Sequence, residues 1–353
     1  MKHPLITTLV GDGVENPGNA RAMQAAAAMF DGPCRFRDKA GLAAAWSAAL
    51  PDAAPLDLLA AQDLAATYAP VIALDNVPGA QPVYGFRLPR GPRPALVAGN
   101  ERHGISREML ALAPHRVMIP MAGRRLNTIN VAAASAVALY YLARGGGGPL
   151  QVTPHPQKRR PELLLGAADH VEIGSAIRSA GAFGWERVLL EDRAGVWFGA
   201  PRHVTAEGRG AARRHRNPIR LIPAAPAASY AFHEVWIVTR DRGDVPLHRA
   251  NLASGPRGLL VIPDETSVDF DAEPWDRLGT RVRFARLDLP ARSFPYHYRL
   301  IASIALAEAA RQVGQRERIP GRPPRAEPLY DRALTLLAAE AGETIDLAEL
   351  DAY

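Results

Sequence analysis

Cysteine is nearly absent from this sequence of 353 residues. Cys34 is the only one, which excludes an intramolecular disulfide and any cysteine-rich metal site. The ten histidines follow no His-x-x-x-His or Cys/His spacing of the kind that binds zinc. We therefore expect no metal cofactor.

Long apolar runs are lacking as well. No run reaches the roughly 20 residues that cross a bilayer without a charge or a Pro/Gly break. The start, Met1 to Pro4, has neither the apolar segment nor the cleavage site of a signal peptide. With so little cysteine, this pattern predicts a cytoplasmic protein without membrane contact. No Gly-x-Gly-x-x-Gly follows a predicted strand, which argues against a dinucleotide-binding oxidoreductase.

Apolar residues make up 48% of the chain, as in globular proteins, and its length predicts two to three domains. The formal net charge is +6, and arginine supplies much of the excess. Such a charge favours a polyanionic partner. A solvated arginine-rich surface would explain the charge equally well.

Two short apolar runs in the first half end at turn-forming residues. Residues 95–98 end at Gly99, residues 117–119 end at a proline, and an Ala-rich segment follows over residues 131–142. The order predicts buried strand, glycine turn, helix, buried strand, loop and helix. Ligands of α/β proteins bind at the carboxyl ends of such strands. Between residues 34 and 64 the composition predicts mostly helix.

The residue types in this stretch resemble motifs two and three of the SPOUT superfamily of RNA methyltransferases, in its SpoU/TrmH-like branch. Gly99, Glu101 and Gly104 fit the family pattern Gly-x-Glu-x-x-Gly. The Ile-Pro-Met of the family pattern is found at residues 119–121. Residues 128–131, Thr-Ile-Asn-Val, take the place of Ser-Leu-Asn-Val.

Motif one of the family is Asn-Pro-x-Asn followed by a helix that carries an arginine. Asn16, Pro17 and Asn19 match it. The arginine position, six residues after Asn19, holds Ala25. Arg21 lies one helical turn earlier on the same face and is a candidate substitute.

The second half repeats this plan with losses. A strand is predicted over 162–166, and the helix over 173–184 resembles motif one with Arg178 at the arginine position. Pro263 replaces the glycine turn of motif two, and Pro295 falls near the Ser-x-Asn position of motif three. Because proline has no side-chain donor and no N–H, we expect this copy not to bind the cofactor.

The resemblance implies an α/β fold of two tandem SPOUT-type domains, each trefoil-knotted around a mostly parallel sheet and packed as an intramolecular pseudo-dimer. The predicted organisation is a cofactor domain at 1–148, a basic linker at 149–160, a degenerate SPOUT-like domain at 161–315 and a C-terminal extension at 316–353. The chain would act as a monomer, with a higher oligomer left open.

The resemblance also implies S-adenosylmethionine as cofactor, and 2′-O-ribose methylation of tRNA or rRNA as activity. The residues expected to contact the cofactor are Val97, Ala98, Gly99, Ile119, Met121 and Ile129. The residues expected to act on the RNA are Asn19, Glu101, Thr128, Asn130 and Arg178.

Two questions stay open at this point. Each half lacks what the other retains, so we expect an active site assembled from both repeats, in which either Arg178 or Arg21 is the motif-one arginine. Glu101 is a catalytic candidate, although a structural role in the loop is at least as plausible. The alternative function is a catalytically inactive RNA-binding protein of the same family.

Overall fold

The structure, a computed structural model, describes most of the chain up to residue 313. The described residues are 7–77, 79–89, 91, 93–100, 103–121, 128–145, 159–214, 217–225, 231–253, 255, 257–270, 279 and 281–313. Most of the predicted linker and all of the predicted extension at 316–353 lie outside them. Within these residues the chain forms two compact units. The first holds 7–120, 129–145 and 289–304, and the second holds 121, 128, 159–288 and 305–313.

The first unit is a six-stranded sheet with helices. Its strands are β1 (Thr8–Asp12), β2 (Cys34–Arg37), β3 (Val71–Leu74), β4 (Gln81–Pro82), β5 (Ala95–Gly99) and β6 (His115–Met118). Its helices are α1 (Pro17–Ala28), α2 (Leu42–Ala49), α3 (Ala61–Thr67), α4 (Arg107–Leu112) and α5 (Val131–Ala143). The order across the sheet is β2-β1-β5-β3-β6-β4, and every pairing is parallel. Strand β1 is buried throughout, as expected of a central strand in a parallel sheet.

Asparagine side chains fix where the two long helices of this unit begin. Asn16 accepts a hydrogen bond from the Asn19 N–H at the start of α1, and Pro17 occupies the first turn. Asn130 caps α5 by accepting from the N–H groups of Ala132 and Ala133. The two helices pack against each other through buried alanines, whose small side chains permit a close approach.

The second unit contains a seven-stranded sheet. Its strands are β7 (Glu162–Gly166), β8 (Arg187–Glu191), β9 (Arg220–Ala224), β10 (Glu234–Thr239), β11 (Val245–Pro246), β12 (Gly258–Ile262) and β13 (Val282–Arg286). Its helices are α6 (His170–Ala182), α7 (Ala206–Arg213) and the part of α8 (Tyr298–Val313) beyond Ile304. Again every pairing is parallel, in the order β11-β13-β10-β12-β7-β8-β9.

The two sheets have the same strand order. Read from the other end and without its outer strand β9, the second sheet has the order β8-β7-β12-β10-β13-β11. If the strands of each unit are numbered along the chain in this way, both sheets have their strands in the same order. Strand β9 lies outside β8, and in the first unit Leu58 forms a parallel bridge to Phe36 at the corresponding place. The predicted α/β class with mostly parallel sheets is confirmed. The knot and the pseudo-dimer stay predictions.

The prediction of a mostly helical stretch over residues 34–64 is wrong at its start. Residues 34–37 form strand β2, which pairs with β1, and α2 begins only at Leu42. Only Phe36 of this strand is buried. The strand therefore lacks the continuous apolar run by which buried parallel strands are recognised.

Candidate functional site

The loop after β5 is a tight turn that only glycine permits. A Cβ atom on Gly99 would lie 2.2 Å from the carbonyl carbon of Gly104, and Gly104 itself has a φ of +69°. Asn100 and Gly104 exchange backbone hydrogen bonds of 2.9 and 2.8 Å across the turn. The motif-two glycines thus shape the carboxyl end of the central strand.

A buried carboxylate holds this loop against the neighbouring strand. Asp12, at the end of β1, is 2% exposed and accepts the N–H of Ser106 at 2.7 Å. Arg37, from β2, donates to the Ser106 hydroxyl at 3.1 Å and lies 3.5 Å from the other Asp12 oxygen. The other terminal nitrogen of Arg37, Nη2, donates to the Glu108 carboxylate.

The side chain of Asn100 secures the other end of the loop. Its amide donates to the carbonyl of Gly13 at 2.7 Å and to the Glu15 carboxylate at 2.9 Å. Sequence reasoning missed this contact and the one made by Asp12. A polar residue at the carboxyl end of each of two adjacent buried strands was the sequence signal that could have indicated these contacts.

Asn19 and Asn130 are brought together although they are distant in the sequence. The Asn130 amide nitrogen donates to the Asn19 side-chain oxygen at 2.9 Å, while its own oxygen caps α5. Asn130 is 8% exposed. The motif-one and motif-three asparagines therefore form one hydrogen-bonded pair at the start of two packed helices.

Within the second unit, Arg178 is bonded to Thr128. Its Nη2 donates to the Thr128 hydroxyl oxygen at 2.7 Å, and its Nε donates to the Thr128 carbonyl at 3.2 Å. The arginine lies on α6 and is 4% exposed. A buried guanidinium that makes two directed bonds is held in one orientation, and its fork geometry suits phosphate or carboxylate.

The expected cofactor residues are distributed over three segments. Val97, Ala98 and Gly99 end β5, and Ile119 follows β6 directly. Ile129 precedes the cap of α5 and is 7% exposed, like Ile119. Met121 is half-buried and groups with the second unit, and Glu101 lies outside the described residues.

Arg21 and Ala25 occupy the same face of α1, as expected. Ala25 is buried, at 1% exposed, whereas Arg21 is exposed, and both line a cleft of the first unit. Arg21 forms no hydrogen bond or ion pair within the described part of the chain. The two candidate arginines therefore differ in kind: Arg178 is buried and fixed, and Arg21 is free to meet a ligand.

The surroundings of the one cysteine disfavour the reactive thiolate. Desolvation of the half-buried thiol, helped by the nearby Asp57 carboxylate, raises the pKa of Cys34 well above its usual range. Over the described ranges, no group of three or more His, Cys, Asp or Glu side chains could hold a metal ion. In the same part of the chain, no helix combines the length and apolar character needed to cross a membrane.

Comparison with known families gives one match, to the SpoU rRNA methylase family, over residues 7–140. None of the curated proteins matches the chain.

Three solved structures illustrate the partial likeness. One, concerning the 2-OH methylation of C/U34 on tRNA, is 27% identical over 40% of this chain and 97% of its own, with a TM-score of 0.32. The SpoU methyltransferase AviRb from Streptomyces viridochromogenes, in complex with AdoMet, is 21% identical over 40% and 57%, with a TM-score of 0.34. An AdoMet-bound rRNA methyltransferase from Sinorhizobium meliloti is 23% identical over 38% and 54%, with a TM-score of 0.32.

The chain spans little more than half the length of the last two proteins. The family match covers the whole first sheet, the glycine turn after β5 and both members of the Asn19–Asn130 pair. Residues 7–140 of this chain are therefore similar to the SpoU rRNA methylase family.

Proposed function

We propose that this protein is an S-adenosylmethionine-dependent RNA methyltransferase that acts on a ribose 2′-hydroxyl of tRNA or rRNA. The observation that carries the proposal is the pair of hydrogen bonds from the buried Arg178 to Thr128. Thr128 opens motif three inside the family match, and Arg178 fills the motif-one arginine position of the second half.

The residues present fit this cofactor. The adenosyl group needs apolar side chains together with a few backbone polar groups, which is the usual make-up of small-molecule sites. Ile119 and Ile129 supply buried apolar side chains, and the turn at Gly99 supplies backbone without a side chain in the way. When bound, the cofactor supplies an electrophilic methyl group.

The protein's own contribution is orientation. Thr128 and Asn130 would position the ribose hydroxyl, and Asn19 fixes the amide of Asn130 through its 2.9 Å bond. Arg178 would hold the adjacent phosphate, because it stays protonated and cannot serve as the base. Holding the reacting groups in line supplies most of the rate enhancement in a reaction of this kind.

We further propose that the two halves arose by duplication and that the second lost its cofactor site. The shared strand order supports the duplication. The loss is supported at the end of β12, where Pro263 and Asp264 follow in place of a glycine turn. A Cβ atom on Gly166 would lie 2.6 Å from the Asp264 nitrogen, so the backbone at Asp264 lies very close to the end of β7.

The test is methyl transfer from labelled S-adenosylmethionine to unfractionated tRNA and rRNA, followed by nucleoside analysis. We expect 2′-O-methylnucleosides from the wild type. Arg178→Gln should abolish transfer while the cofactor Kd, measured by calorimetry, stays within about threefold, roughly 0.7 kcal/mol.

Arg187→Gln is the matched control, because Arg187 is also a paired arginine of the second unit, bonded to Glu162 at 3.0 Å. It should retain activity. A wild-type protein that binds RNA but neither binds the cofactor nor transfers methyl groups would establish the inactive RNA-binding alternative. Methylation of a base instead of the ribose would refute the 2′-hydroxyl assignment.

A further inference from the structure

One cleft of the first unit is not used in the proposed methyl transfer. It has a volume of about 770 Å³, and all its lining residues belong to that unit. It is lined by Arg21, Gln24 and Ala25 of α1, by a wall segment from Ala49 to Pro55, and by Pro295. We call it the Arg21 cleft. Its volume falls within the range of about 300–1,000 Å³ that holds small organic ligands.

Polar groups are few in the Arg21 cleft, and they are not used by the fold. Arg21 is exposed, and Gln24 is half-buried; in the described chain neither side chain makes a hydrogen bond. Asp52 is exposed on the wall. The polar side chains that line the cleft are thus one cation, one amide and one carboxylate.

The rest of the lining is apolar and firmly held. Pro51, Pro55 and Pro295 present exposed rings to the cleft. Trp46 also lines the cleft and is 4% exposed, and its indole N–H donates to the Ala54 carbonyl at 3.0 Å, which ties the wall segment to α2. A flat apolar ligand can pack against such rings without displacing structure.

We propose that the Arg21 cleft binds one unpaired nucleotide of the RNA substrate, separate from the nucleotide that is methylated. The inference rests on the proposed function for the identity of the polymer. The base would pack against the proline rings, because flipped-out bases are held by apolar stacking and by hydrogen bonds to their edges. Arg21 would hold the phosphate, and Gln24 and Asp52 would bond to the base edge.

The chemistry of the cleft favours a nucleotide of an RNA strand over a free anion. A single arginine beside the Asp52 carboxylate is a weak site for an isolated phosphate. A nucleotide uses the cation, the hydrogen-bonding groups and the apolar rings together. The excess of positive charge on the chain, +6, would assist association with any RNA.

Two adjacent alanines near the end of α2 provide a steric test. Ala49 lines the cleft and Ala48 does not, and both are exposed, so a large side chain is tolerated at either. The probe is a fluorescein-labelled single-stranded RNA 12-mer of mixed sequence, measured by anisotropy. Ala49→Trp should raise its Kd about tenfold, the loss expected for one base contact, and Ala48→Trp should leave the Kd unchanged.

Arg21→Gln tests the phosphate contact through its salt dependence. Loss of one contact to a single strand lowers the slope of log K against log salt by about 0.7. Arg93 is an exposed arginine two residues before β5 and does not line the cleft. Arg93→Gln removes the same charge and should leave the slope near the wild-type value.

The outcomes separate this inference from the proposed function. Loss of RNA affinity in Ala49→Trp and Arg21→Gln, with wild-type cofactor binding in both and an undiminished rate of Ala49→Trp at saturating RNA, supports the cleft. If Arg21→Gln abolishes transfer at saturating RNA while the 12-mer Kd is unchanged, Arg21 is the motif-one arginine and the cleft proposal is wrong. Equal effects of tryptophan at positions 48 and 49 also overturn it. If the protein transfers no methyl groups but the cleft variants still weaken RNA binding, the proposed function fails and the cleft stands.

Discussion

Asn130 uses both ends of its side-chain amide. The oxygen caps α5, and the nitrogen donates to Asn19. Replacement by alanine should lower the free energy of unfolding by about 1–2 kcal/mol, because both contacts are lost. Asn130→Ser keeps a good cap but cannot reach Asn19, so its loss should be smaller. Urea denaturation measures both values; equal losses would show that the cap contributes nothing.

Glu265 makes stability depend on pH. Burial, the larger effect, raises the pKa of Glu265 above its ordinary value of 4.5, although an N–H from Arg240 at 2.7 Å opposes the shift. The folded state therefore holds the proton to higher pH than the unfolded state. The stability from this group is fully present below the unfolded pKa and is lost as pH rises through the folded pKa.

Glu265→Gln tests this effect, since glutamine stays neutral and can still accept from the Arg240 N–H. As pH rises above 4.5, the ordinary glutamate pKa, we expect the free energy of unfolding of the variant to increase relative to that of the wild type. Denaturant titrations at a series of pH values provide the measurement. A difference between the two proteins that does not vary with pH would contradict the assignment.

At the scale of elements, α6 and α7 approach closely because glycines face each other. A Cβ atom on Gly174 would lie 2.1 Å from the Gly208 carbonyl oxygen, and one on Gly208 would lie 1.9 Å from the His170 carbonyl oxygen. Gly174→Ala should therefore cost about 1–3 kcal/mol of stability through forced separation of the helices.

Gly210→Ala is the control on the same helix. In the described part of the chain, no atom outside its own helix backbone and chain neighbours lies within 4 Å of the Cβ position at Gly210, so the variant should gain up to about 1 kcal/mol from helix propensity. Thermal and urea unfolding of both variants give the comparison. A Gly174→Ala protein as stable as the wild type would mean that the helices separate without loss.

The elements that sequence predicts well are those whose signal is continuous. Strand β7 has the predicted bounds, because central parallel strands are apolar on both faces and are recognised without any periodicity. The pattern predicts no strand at β2 or β9. In β9, an exposed arginine and a proline interrupt the apolar residues.

In the candidate site, too, local patterns can be predicted from the sequence and long-range contacts cannot. The order of the motifs is visible in the sequence, but the pairing of Asn19 with Asn130 spans 111 positions and depends on how α1 and α5 pack. The role of Asp12 likewise arises only when β1 and β5 become neighbours. Contacts of this kind depend on topology and leave no local pattern to read.

For the molecule as a whole, we expect one S-adenosylmethionine bound per chain. In the first unit, β5 ends in a glycine turn. In the second unit, β12 is followed by Pro263, and the backbone there lies very close to Gly166. Calorimetric titration should give a stoichiometry near one. Gly99→Ala should remove binding, because its Cβ would collide with Gly104, and Gly166→Ala should leave any binding in place. A stoichiometry near two would show that the second half still binds cofactor.

The first unit is not contiguous along the chain, and this affects the order of events during synthesis. It includes residues 289–304, and the Ala291 N–H donates to the Met29 carbonyl at 3.3 Å. Domains usually fold as units, the N-terminal one first, while the ribosome still makes the rest. Here the segment 289–304, which completes the first unit, is made only after residues 159–288 of the second unit. A nascent chain arrested before residue 289 would therefore carry every motif of the family and still lack part of the first unit.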